Sequence, residues 1–399
     1  MRRFSPDAIA IRAGARSPRP VPRLLALVQC LLAAAFVTPT VSPAQAFRDV
    51  KTPARPLVLK AQGSFFIGGE SVEQTEVEVG LGPGGRLTVN QMYVRFMVPP
   101  DGDRHVPVVM VHGATLTGKS WETTPDGRMG WDEYFVRKGH SVFVPDQVGR
   151  GRSGFDQSRF NNARAGLLRQ DSLPRWIRFS DEVTWPNFRF GAAPGAPYPD
   201  TQFPVAAVGE LSKQGVPDVS FGGIPVPNPT HRALALLARE VRGAVLMGHS
   251  QSGAFPLFAA LLDPGVTRGL VLVEPGSCPA LDDAQLRTLV AVPILVVFGD
   301  HRDTWSGIGD PAVHHWQRSF ESCEALIARV NVLGGRAETL DPARLGVRGN
   351  SHMIMQDLNN LQVADAILRW IGARVAPPPR LREGSRSRGA ARDTRARGF

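Results

Sequence analysis

Hydrophobic positions along the chain follow two regimes. Over residues 58–98 apolar and polar residues alternate in several places, most clearly in Thr88-Val89-Asn90-Gln91-Met92-Tyr93-Val94-Arg95-Phe96-Met97-Val98. Turn signals stand at Gly68-Gly69 and Gly82-Pro83-Gly84-Gly85. A period of two predicts strands with one covered face, here an antiparallel entry to a sheet. Further on, the apolar runs become short and nearly continuous, at residues 108–111, 142–144, 244–247, 270–273 and 294–298. Strands buried on both faces read this way, and helical segments lie between most of them. Asn228-Pro229 is a cap and first-turn pair for a helix over residues 230–242, with Leu234, Leu237 and Val241 on one face. Leu361, Ala364, Ile367, Leu368 and Ile371 predict a last amphipathic helix, ended by Gly372. Such alternation implies an α/β fold with a mainly parallel sheet covered by helices on both faces. Ligands of that architecture sit beyond the carboxyl ends of the strands.

One stretch stands outside this pattern. Residues 155–227 are rich in proline and aromatics, among them Phe160, Trp176, Trp185, Phe188 and Phe203. Their place suits a cap inserted over a site, its aromatics divided between a pocket lining and a small core of their own. The two ends differ again. Residues 1–46 pair an arginine-bearing start with a 14-residue apolar run at 24–37, too short to span a bilayer comfortably, and then Ala44-Gln45-Ala46. That is the pattern of an export signal cleaved near Phe47, which predicts a periplasmic or secreted protein with no stable membrane span after cleavage; a retained membrane anchor is the alternative. Arg2-Arg3 alone is a weak pointer to a twin-arginine route. Residues 377–399 are Pro/Arg/Gly-rich and read as a disordered basic tail.

Composition changes the picture only once it is located. The formal charge of +10 suggests a nucleic-acid partner, but residues 1–46 and 380–399 each carry a net +5, so the body is neutral. Nucleic acid is therefore not an expected partner. Cleavage of the signal removes Cys30 and leaves Cys278 and Cys323, which in an oxidising compartment form either a disulfide or two separate buried thiols. No Cys/His grouping has metal-ligand spacing, and no metal is expected. A homo-oligomer is compatible with the sequence, which does not set the oligomeric state.

Chemistry concentrates at Ala244-Val245-Leu246-Met247-Gly248-His249-Ser250-Gln251-Ser252-Gly253. Strand, sharp turn and helix in that order make a nucleophile elbow, with Ser250 lifted out of the turn. Gly248 supplies the small residue needed two positions before it. Ser252 stands where glycine is usual, and Gly253 follows. A register with Ser252 as nucleophile is the alternative, and it lengthens the strand into polar His249. A serine needs a base held by an acid, in the chain order Ser, acid, His. Candidate bases are His301, His314, His315 and His352, of which His352 closes the loop Gly346-Val347-Arg348-Gly349-Asn350-Ser351-His352 before the last helix. Glu274 and Asp300 end neighbouring strands, and position alone does not choose between them. The backbone N–H groups of Gln251 and of Ala114, in Val111-His112-Gly113-Ala114-Thr115, suit an oxyanion hole, with Gly113 the next choice to Ala114.

These segments resemble an α/β-hydrolase, and more narrowly the exported bacterial carboxylesterases represented by the Alcaligenes esterase. Carrying the likeness are residues 90–95, 121–135, Gly149-Arg150-Gly151-Arg152-Ser153, His249-Ser250-Gln251-Ser252-Gly253 and Gly349-Asn350-Ser351-His352-Met353. As a set they span most of residues 60–373. The resemblance implies that the triad acid is Glu274 rather than Asp300, that residues 155–227 are a cap on a domain of 47–376, and that the substrate is a small-molecule carboxylic ester. The Alcaligenes esterase has paired cysteines after its His-Gly where this chain has Ala114-Thr115. The implied mechanism is a serine carboxylesterase passing through an acyl-enzyme, with no cofactor. An acyltransferase or peptidase using the same triad, or a non-catalytic binding protein on the same fold, are the alternatives.

Overall fold

The computed structural model describes residues 47–101, 104–219, 225–311 and 316–376. The signal and tail assigned to the two ends, and His314 and His315, lie outside them. Eight strands form one sheet: β1 (Ala61–Gln74), β2 (Gly85–Val98), β3 (Val108–Val111), β4 (Val142–Pro145), β5 (Ala244–His249), β6 (Thr267–Val273), β7 (Ile294–Val297) and β8 (Ala337–Leu340), in the order β1-β2-β4-β3-β5-β6-β7-β8. β1 and β2 are an antiparallel pair, and β2 meets β4 antiparallel. From β4 to β8 every pairing is parallel.

Continuous apolar strands follow from two separate cores. Val245, Met247, Val271, Val273, Leu295 and Val297 face one core, together with helices α1 (Trp131–Arg137) and α6 (Asn360–Arg374). The intervening Leu246, Leu270, Leu272 and Val296 face the other, covered by α2 (Pro229–Glu240), α3 (Phe255–Leu262), α4 (Asp283–Leu289) and α5 (Trp316–Val332). Alternate side chains thus point into opposite cores, and neither face leaves room for polar residues.

Helix α2 begins where Asn228 accepts the N–H of His231 at 3.0 Å, while His231 Nδ1 accepts the N–H of Asn228 at 3.1 Å. Two expectations need correction. Gly68-Gly69 does not end a strand; both adopt left-handed φ inside β1, opposite Asn90 at φ 60°. Helix α6 does not stop at Gly372 but runs to Arg374, with the N–H of Val375 still bonded to Ile371. Val375 then leaves helical geometry at φ −103° and ψ 120°, just ahead of the Pro377-Pro378-Pro379 run, which cannot continue a helix.

Within residues 155–227, Trp185, Phe188, Phe190 and Phe203 are buried in the same core as α1 and α6. Phe155, Phe160 and Trp176 instead form a half-open cluster with centroids 4.9–5.4 Å apart. The expected separate core of the insertion is not found: its buried aromatics join the main core, and the half-open cluster stands apart from them.

Candidate active site

β5 delivers Ser250 at the centre of the sheet. Its φ is +58°, a left-handed conformation that costs a non-glycine residue roughly 1–3 kcal/mol. A short 3₁₀ turn (Ser250–Ala254) then leads into α3. A side chain at Gly248 would put its Cβ 2.1 Å from the carbonyl of Ser252, so only glycine fits. The departure at Ser252 has a physical account. Its hydroxyl accepts the N–H of His249 at 3.1 Å and lies 3.0 Å from the carbonyl of Val111, pinning the elbow to β3. The demand for a bare backbone moves to Gly253, where a Cβ would come within 2.4 Å of Pro275. Ser252 is buried and so committed, whereas Ser250 is partly accessible.

Ser250 Oγ lies 2.8 Å from His352 Nε2, and His352 Nδ1 lies 3.2 Å from Glu274 Oε2. An ionised carboxylate can only accept, so Nδ1 carries the proton and Nε2 offers its lone pair to Ser250. Glu274 follows β6 at φ +48°, and its other oxygen accepts the N–H of Gly299 at 2.5 Å and Nη2 of Arg189 at 2.6 Å. Burial would raise the Glu274 carboxyl, but the Arg189 charge and the hydrogen bonds outweigh it and lower it to about 2. Burial holds the His352 imidazole below its ordinary value, opposed by Glu274. The Trp316 ring stacks on the imidazole at 4.0 Å, and the main chain of His352 is fixed by its N–H to Phe188 O and its carbonyl to His249 Nε2.

Asp300, the alternative acid, is placed elsewhere. Its N–H donates to Asn350 O at 2.9 Å and its Oδ2 accepts the N–H of Asn350 at 3.0 Å, so it grips the neck of the histidine loop. His301 pairs with Asp200 at 2.8 Å and stacks on Tyr198. Below the imidazole, buried Asp357 accepts the N–H and hydroxyl of Ser351 at 2.8 and 2.6 Å.

The loop after β3 closes the opposite wall. A Cβ on Gly113 would sit 2.9 Å from Ser250 Cβ, which brings that backbone against the nucleophile. Among the described residues the N–H of Ala114 has no hydrogen-bond partner. Gln251 is the second residue of the Ser250–Ala254 turn, in the first turn of a helical segment, where N–H groups lack an internal acceptor. Thr115, a β-branched residue at φ +56°, is held from both sides, its N–H by Asp218 Oδ2 at 3.0 Å and its carbonyl by the N–H of Val216 at 2.8 Å. Asp218 forms a buried ion pair with Arg150, whose Nη1 donates to Gln251 Oε1 at 2.8 Å. Asp218 and Arg189 carry no motif, Arg150 lies in the Gly149–Ser153 segment without a role attached to it, and sequence reading missed all three as site residues. The one available signal was a charge inside an aromatic stretch, as in Phe188-Arg189-Phe190.

A cavity of about 360 Å³ is lined by Arg150 and Asp218 together with Asn90, Trp176 and Phe255. Its lining does not include Ser250, so it borders the site without containing the reacting centre. Cys278 and Cys323 are joined as a disulfide between the loop after β6 and α5. Among the described residues no cluster of His, Cys, Asp and Glu is arranged to hold a metal, and no helix is long and apolar enough to cross a membrane.

Strand order, elbow and histidine loop together define an α/β hydrolase. No protein-family model matches the chain. A solved structure described as that of a novel bacterial esterase is 46% identical, covers 82% of this chain and 99% of its own, and superposes with a TM-score of 0.75. A curated relative, "Probable secreted lipase phiG" of Fungal sp. (strain ATCC 74256), is 25% identical over 373 residues, 79% of this chain and 95% of the relative. The chain belongs to the α/β-hydrolase esterases.

Proposed function

We propose that this chain hydrolyses carboxylic esters of small molecules by covalent catalysis, with Ser250 as nucleophile, His352 as base and Glu274 as the acid that orients it. His352 Nε2 takes the hydroxyl proton as Ser250 Oγ attacks the ester carbonyl. N–H groups of Gln251 and Ala114 hold the oxyanion, and Glu274 stabilises the imidazolium. The intermediate collapses with loss of the alkoxide, which receives the proton from Nε2, leaving an acyl-enzyme. Water then attacks with His352 again as base, and the acid leaves. The observation that carries this is the unbroken run Ser250 Oγ, His352 Nε2, His352 Nδ1, Glu274 Oε2 at 2.8 and 3.2 Å inside a buried site. Nitrophenyl esters of graded acyl length test it: turnover of at least one of them, with burst release of nitrophenol, is expected. Absence of turnover across the whole series contradicts it.

Residues 1–46 act as an export signal in this account, with 155–227 a cap and 377–399 a tail outside the catalytic domain. A disulfide suits an oxidising compartment, and one relative is itself named as secreted. Amino-terminal sequencing of protein recovered outside the cytoplasm should begin at or near Phe47; an intact Met1 end there contradicts export by cleavage.

A further inference from the structure

The triad acid has a partner that the chemistry above does not use. We infer that Arg189, from the 155–227 insertion, is a positioning residue for the reaction that acts through Glu274; this rests on the reading of Glu274 as the triad acid. Arg189 and Glu274 are both fully buried. Arg189 Nη2 and the N–H of Gly299 occupy the same oxygen, Oε1, at 2.6 and 2.5 Å. The carboxylate is thereby turned so that Oε2 alone faces His352.

The cost of placing Arg189 there argues against simple packing. Its backbone is held at φ +57°, which an arginine rarely adopts. Its Nε and Nη1 are buried with no acceptor among the described residues. An apolar side chain of similar length would fill that space without burying a charge or leaving two donors unpaired. What such a side chain could not do is hold a buried carboxylate ionised.

Neighbouring residues of the insertion work on the other member of the pair. Phe188 O accepts the N–H of His352 at 2.9 Å, and Asn187 O accepts Nε1 of Trp316 at 2.7 Å, the indole that stacks on the imidazole. Three consecutive residues therefore fix the histidine main chain, its stacking partner and its carboxylate. The charges bearing directly on His352 are Glu274, which favours its protonation, and Arg189, which opposes it. His249, packed beside it, is kept neutral by burial, and Asp357 lies below the loop on Ser351. Removing the Arg189 charge relaxes both members upward, since the carboxylate loses its counter-charge and the imidazolium its repulsion.

The test compares wild type, Arg189→Met, Arg189→Lys, Glu274→Gln and the double variant R189M/E274Q on one nitrophenyl ester across pH. Arg189→Met should lose about two decades of kcat, with the acid limb of kcat/KM displaced to higher pH by roughly one unit. Arg189→Lys should recover at least about tenfold of that loss. In the Glu274→Gln background, Arg189→Met should cost nothing and can raise kcat, because the lone guanidinium there only opposes the imidazolium. Equal losses in both backgrounds, or Arg189→Met within about threefold of wild type with an unmoved acid limb, overturn the proposal. If Arg189→Met alone does not fold, the Glu274→Gln pair decides, and a further tenfold loss in the double variant overturns it. A Glu274→Gln enzyme of wild-type kcat removes the triad acid itself, and this proposal with it.

Discussion

Asp218 ties Gln251 to the loop that faces it: one carboxylate oxygen accepts Gln251 Nε2 at 3.2 Å and the N–H of Thr115 at 3.0 Å. The two residues so joined are Gln251, a proposed oxyanion donor, and the neighbour of Ala114, the other. Asp218 comes from the insertion, more than 100 residues from Thr115 in sequence. Both walls of the hole are therefore set by a charge that neither wall contains. Losing an oxyanion donor outright typically costs two to three decades of kcat. Asp218→Asn keeps both donors and loosens them, so kcat should fall about tenfold while KM stays within about threefold. Steady-state kinetics on one ester checks this; a rise in KM with unchanged kcat points to ground-state binding instead.

The pH profile follows from burial of the triad. His352 must be neutral to accept the serine proton, and burial lowers its pKa below the ordinary 6.5. The acid limb of kcat/KM should accordingly fall below pH 6.5, and Glu274, at about 2, should not add a second limb near neutrality. For stability the sign is that of a depressed carboxyl. The contribution of Glu274 is present above about pH 4.5 and is lost as pH falls toward 2. A limb at or above pH 6.5 contradicts the dry environment assigned to His352.

Cys278 and Cys323 are 45 residues apart and both are buried. Closing a loop of that size restrains the unfolded chain by about 4 kcal/mol in the chain-entropy model, with about 2–4 kcal/mol the usual yield. The double variant C278A/C323A should unfold at correspondingly lower urea and keep most of its kcat at 25 °C. An unchanged urea midpoint contradicts the stabilising role.

The two carboxylates at neighbouring strand ends make opposite forecasts. Glu274→Gln keeps shape, loses charge, and should cost around four decades of kcat. Asp300→Asn should cost no more than about one, because Asp300 holds the backbone of Asn350 rather than the imidazole. A severe loss in Asp300→Asn with a mild one in Glu274→Gln reverses the assignment.

What could be read in the sequence is what local pattern encodes. The doubly buried strands announce themselves as continuous apolar runs, and the elbow as small residues around Ser250. The choice between Glu274 and Asp300 was not local. The residues alone left it open and the family resemblance pointed to Glu274; the contacts that support that reading, Arg189 and His352 on Glu274 and Asn350 on Asp300, come from distant parts of the chain. The same holds for Asp218 and Arg150, whose partners lie tens to more than a hundred residues away. Gly372 misled because a helix tolerates one exposed glycine at modest cost, and the prolines from residue 377 on are the stronger local stop signal in the sequence.

The central claim is that Ser250 is the nucleophile, and covalent labelling tests it most directly. A fluorophosphonate reacts with a hydroxyl that a neighbouring base has activated, and Ser250 is the serine whose hydroxyl meets the imidazole of His352. Incubation to full inactivation followed by peptide mass spectrometry should find one adduct per chain, on Ser250, and Ser250→Ala should be unlabelled and lose about five to six decades of kcat while remaining folded. Label on Ser252, or substantial activity in Ser250→Ala, would contradict the account.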